Sequence, residues 1–94
     1  MKTKQEIEKA VCNYFKVDVK EIYASRSSKY PNGIAKEILI YLLFANGHKS
    51  YHIAEWFGFA PTMVYRHCGA VQAGLKSDTK IKEDIEKINQ QLNI

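Results

Sequence analysis

The residues best equipped for chemistry in this 94-residue chain cluster in its second half. Thr62, Met63, Tyr65 and Arg66 sit within five consecutive positions, and His48, His52, His67 and Cys68 lie close by in sequence. The histidines and the cysteine raise the question of a metal. There is no His-Glu-x-x-His, no zinc-finger spacing and no Cys-x-x-Cys, so the pattern argues against one. No Cys–His or Ser–His–Asp spacing suggests a nucleophile, and the carboxylates gather in the terminal segments. The chain is therefore expected not to be an enzyme and to need no cofactor or small-molecule substrate. Arg66 and its neighbours suit recognition better. A guanidinium bonds twice to guanine, and a threonine hydroxyl donates or accepts while its methyl touches thymine. Gly69, further along the same segment, would let a DNA backbone approach closely.

The charge pattern points the same way. Net charge is +4. Residues 1–21 hold five Lys against four acids, and residues 78–94 hold three Lys against four. Residues 22–77 hold Arg26, Lys29, Lys36, Lys49, Arg66 and Lys76 against only Glu37 and Glu55, so the excess sits in the middle. A localised positive field suits phosphate or another acidic surface. Hydrophobic residues at 46% and charged residues at 26% fit one globular domain, residues 1–94. The longest apolar run, residues 38–45, is far short of the roughly 20 residues a membrane span needs. The charged start lacks the apolar stretch of a secretory signal, which predicts a cytoplasmic protein with Cys12 and Cys68 as small buried thiols.

These side chains need helices to hold them. In residues 4–15, Ile7, Ala10, Val11, Tyr14 and Phe15 recur at helical spacing, and Thr3 with Glu6 resembles a capping box. Asp18 is placed to cap a short helix beginning at Val19. Residues 24–33 read as a polar connection carrying Arg26 and Lys29. Residues 34–45 are apolar around most of the circumference, as in a central helix packed on several sides, and Asn46-Gly47 ends them. Ser50 is the expected cap of a helix through Phe57, and Pro61 the expected start of one running to about Lys76. Asp78 opens a last helix with a stripe of Ile81, Ile85, Ile88 and Leu92, and Glu83 and Lys87 are spaced to pair on its polar side. The fold class is all-α, with about six helices.

Within residues 50–76, Ala54-x3-Gly58-x5-Val64, with Ile53 and Phe57 beside them, has the spacing of a helix-turn-helix. Ala54 leaves room for a crossing helix, and Gly58 takes the sharp turn. At about 100° per residue, Val64, Cys68, Val71 and Leu75 form an inner stripe, while Thr62, Arg66 and Gly69 fall opposite and Tyr65 lies between. A helix in the major groove reads bases mainly with its N-terminal residues, here Thr62, Met63, Tyr65 and Arg66.

Over about residues 5–92 the chain resembles the C-terminal DNA-binding domain of DnaA-type chromosomal replication initiators, which shares its architecture with the Trp repressor. Phe57, Gly58, Thr62 and Val64 carry the match. The Arg-Asp-His portion of the family signature is missing at Ala60-Pro61, and no Gly-x4-Gly-Lys-[Ser/Thr] phosphate loop occurs. The resemblance implies a Trp repressor-like fold and double-stranded DNA as partner, in replication or transcription regulation, without ATPase. Lys36 stands where the family places a basic residue ahead of its central helix, with Ile34 where another Arg would fall. The contact set is then Arg26, Lys29, Lys36 and Lys49 on phosphate, with Thr62, Met63, Tyr65, Arg66 and Gly69 on the reading helix. The alternative reading is a helical protein-interaction module with Met63 and Tyr65 as anchors, while the DNA reading also allows a homodimer on a pseudo-palindromic site. Trp56, Tyr51 and Phe59 have the chemistry of a single-strand stacking platform, but aromatic residues inside a helix-turn-helix more often form its core.

Overall fold

The computed structural model describes residues 2–24 and 32–92, which contain six helices and no strand. They are α1 (Lys4–Phe15), α2 (Val19–Ala24), α3 (Asn32–Ala45), α4 (Ser50–Phe57), α5 (Pro61–Ser77) and α6 (Thr79–Leu92). Arg26 and Lys29 lie outside the described residues.

Capping follows local chemistry. The Thr3 hydroxyl accepts from the Glu6 amide at 3.1 Å, and the Glu6 carboxylate accepts from the Thr3 amide at 3.2 Å, a complete capping box. These bonds to Thr3, backbone first, hold the Glu6 carboxyl below its ordinary range. Asp18 accepts from the Lys20 amide, and Asp78 from the Lys80 amide, each at 2.9 Å. Ser50 departs from expectation. It is the first helical residue, Lys49 occupies the cap position, and no side chain caps α4. The Ser50 hydroxyl instead meets Tyr65 on α5. On α6 the ion pair that forms is Lys80–Asp84 at 2.8 Å, rather than one between Glu83 and Lys87.

α3 is the hub, packing against α1, α2, α4 and α5. Its buried Ile38, Leu39, Ile40, Leu42 and Leu43 surround the axis, as an all-round apolar helix requires. Two residues before the start expected at Ile34 are also helical. α6 closes the other side, laying Ile85, Ile88 and Leu92 against α1 and α5. One buried group there is charged: Asp84, 1% exposed, accepts from the Tyr14 hydroxyl at 2.5 Å and from the Lys80 ammonium at 2.8 Å. The carboxylates of the terminal helices are thus not all on a solvated face. The radius of gyration, 11.9 Å, is what close packing of such a chain gives (about 12 Å). No helix of the described residues is long and apolar enough to cross a membrane.

Candidate functional site

The connection from α4 to α5 sets the geometry. α4 ends on Gly58 at φ 74°, a left-handed conformation that glycine adopts without steric cost, and its amide returns to the Ala54 and Glu55 carbonyls. Phe59 then fills the turn, its ring stacked on Phe57 (centroids 5.5 Å apart) and on His67 (5.8 Å). Pro61 starts α5, where a missing amide loses no hydrogen bond.

α5 divides as its sequence period requires. Val64, Cys68 and Val71 are buried, and Leu75 packs at the margin of the core. Thr62, Tyr65, Arg66 and Gly69 are exposed, with Met63 half-buried. The Arg66 guanidinium approaches the Met63 sulfur at 3.7 Å, which draws it along the helix surface. Burial pushes the Cys68 thiol up, so it is a neutral floor beneath this face rather than a nucleophile.

The two flanks of α5 are tied to different neighbours. On one flank the Tyr65 hydroxyl donates to Ser50 Oγ at 3.3 Å, and its ring meets Phe44 edge-on at 5.5 Å. Lys49 directly precedes Ser50, and its ammonium lies 5.9 Å from the Tyr51 ring. On the other flank, His67 Nδ1 is 3.6 Å from Glu37 on α3. Lys36 sits there too, its ammonium 5.8 Å from the Phe57 ring centre and 5.9 Å from that of Phe59. The fold thus brings Lys36, Lys49, Thr62, Met63, Tyr65, Arg66 and Gly69 around one exposed helix.

Nothing among the described residues requires a glycine at position 69. It is mid-helix without positive φ, and a Cβ built there would meet nothing within 4 Å. Gly74, five residues later, differs: its Cβ would come within 2.7 Å of Ile81 Cδ1, so close packing of α6 explains it.

The remaining candidates disperse. Among the described residues no three His, Cys, Asp or Glu are placed to hold a metal ion. His48 bonds the Lys2 carbonyl at 2.8 Å, and His52 stacks on Trp56. Tyr51 meets His52 at 4.4 Å and His52 stacks on Trp56 at 6.2 Å, so these two aromatic side chains are linked through His52, while Phe59 belongs to the turn and stands apart from them.

A cleft between α3 and α5 went unread in the sequence. Tyr41, Phe44 and Ala45 line it from α3, and Tyr65, Cys68, Gly69 and Gln72 from α5, around about 360 Å³. Its signal was the pair of aromatic residues near the C-terminal end of α3, concealed because that helix is apolar on every side. No protein-family model matches the sequence, and a search among curated proteins gives no match.

Proposed function

We propose that this chain binds double-stranded DNA in a sequence-dependent manner, with α4 and α5 acting as a helix-turn-helix and α5 as the reading helix. This reading carries over the sequence resemblance to the replication-initiator C-terminal domain, with its Trp repressor-like architecture, and has the chain work without ATP as a replication or transcription regulator in the cytoplasm. One observation carries the reading: the N-terminal half of α5 exposes Thr62, Arg66 and Gly69 opposite the buried stripe that anchors it, with Tyr65 exposed beside them. Arg66 and Thr62 supply base-edge chemistry, while Lys36 and Lys49 flank them with positive charge. Gly69 adds independent support. An exposed mid-helix glycine costs about 0.5–1 kcal/mol relative to alanine. With open space around it, the missing side chain serves something approaching from outside.

The test is selection of binding sites from random duplexes, followed by titration of the selected site at two salt concentrations. Affinity falls with salt, and Lys49→Ala weakens binding to all duplexes alike while lowering the salt slope by about one. No binding at low salt overturns the reading. A second reading, a helical protein-interaction module, draws on three exposed aromatic residues: Phe44 at 38%, Tyr51 at 52% and Tyr65 at 55%. It requires a partner whose binding persists in salt.

A further inference from the structure

We infer that the cleft between α3 and α5 receives an unpaired nucleobase swung out of the bound DNA, an assignment that rests on the DNA-binding reading above. Three features define the occupant. The walls are aromatic: Tyr41 and Phe44 line the cleft from α3 and Tyr65 from α5, where its ring touches Phe44. Tyr65 is held at both ends, by its edge-on contact with Phe44 at 5.5 Å and by its hydroxyl on Ser50, so the platform is set before anything binds. The floor is the Cys68 thiol and the rim carries the Gln72 amide, which offers both a donor and an acceptor to the edge of a flat heterocycle. Among the described residues no carboxylate or ammonium lines the cleft, so its chemistry selects a neutral, π-rich, hydrogen-bonding group.

Size and position narrow the choice. A volume near 360 Å³ is at the small end of the roughly 300–1,000 Å³ of ligand pockets, which suits one or two rings. Gly69 lines the cleft and is exposed, so we place the mouth there, where a side chain would have met no atom within 4 Å. Gly69 also lies on the exposed face with Thr62 and Arg66. A duplex lying along that face has its backbone beside the mouth, and a base rotated out of the stack passes over Gly69 to reach the aromatic walls. Extrusion is least costly where the base is already unpaired, so the cleft gives the protein a preference for duplexes carrying one.

The experiment compares three fluorescein-labelled duplexes of one selected sequence by anisotropy at fixed salt: fully paired, carrying a single extra thymidine, and carrying an abasic nucleotide at that position. The abasic duplex has comparable flexibility but no base to bind. The full chain is expected to bind the extra-thymidine duplex about tenfold more tightly than the abasic one, within the range of stacking one base on aromatic side chains. Gln72→Ala, at an exposed position outside the reading set, lowers that ratio while affinity for the paired duplex stays, and Phe44→Ala, which also releases the Tyr65 ring, brings the ratio close to one. Circular dichroism confirms that both variants fold. Equal affinity for the thymidine and abasic duplexes overturns the cleft's occupant and leaves the DNA reading standing. Failure to bind any of the three at low salt overturns the DNA reading itself.

Discussion

Replacing Gly69 by alanine separates what the fold needs from what a partner needs. In a helix interior glycine is about 0.5–1 kcal/mol less favourable than alanine, because the flexible backbone loses more entropy on folding. The new methyl group meets no atom within 4 Å and the backbone there needs no positive φ, so nothing offsets that gain. For a domain of this size the stabilisation raises Tm by about 2–8 °C, measured by thermal unfolding in far-UV circular dichroism. Binding moves in the opposite direction. A methyl group forced into a close contact costs about 1–3 kcal/mol, so affinity for a selected duplex drops about fivefold or more. Gly74→Ala is the internal control. Its Cβ would press on Ile81 at 2.7 Å, so it gains less stability than Gly69→Ala, and it leaves DNA affinity unchanged. A lowered Tm in Gly69→Ala would refute the open-space argument, and unaltered DNA affinity would refute close approach at this position.

Gly58→Val forces a β-branched side chain into φ 74°, costing about 1–2 kcal/mol; denaturant unfolding reads the loss, and wild-type stability would deny the strained turn. Asp84→Ala removes the acceptor shared by Tyr14 and Lys80 from a site 1% exposed. It should destabilise by about 1–3 kcal/mol, and a cycle with Tyr14→Phe should show coupling of at least about 0.5 kcal/mol. Simple additivity would mean the bond contributes nothing. Stability should also fall at alkaline pH. The bond to Asp84 holds the Tyr14 hydroxyl above its ordinary range, and burial followed by the bond to Glu8 does the same for Tyr23. Raised in the folded state, both contribute stability that is complete below the unfolded tyrosine pKa, about 10, and lost as pH rises beyond it. Replacing both by phenylalanine flattens that decline, and an unchanged pH profile would contradict the assignment.

Much of this architecture was legible because local physics fixes it. The Thr3–Glu6 box, the left-handed Gly58, Pro61 at the head of α5 and the stripe of Val64, Cys68 and Val71 all follow from spacing, and the structure has each of them. Ser50 was misread because a serine before a helical run has two uses for its hydroxyl. The run starts one residue earlier than capping requires, and Tyr65, distant in sequence, occupies the oxygen instead. Asp84 escaped for a similar reason. Its pattern is that of a polar helix, and only the packing of α6 against α1 buries it beside Tyr14. The aromatic cleft depends on how α3 and α5 lie side by side, a long-range relation that periodicity does not encode.

The most direct test of duplex recognition is an anisotropy titration of wild type and Arg66→Ala against a selected duplex and a scrambled one at a single fixed salt. Arg66 stands exposed on the reading face of α5. A base contact there predicts a loss of about 1–3 kcal/mol on the selected site and a much smaller loss on the scrambled one. Equal losses on both duplexes would reduce Arg66 to a phosphate contact, and undiminished binding to both would contradict α5 as the reading helix.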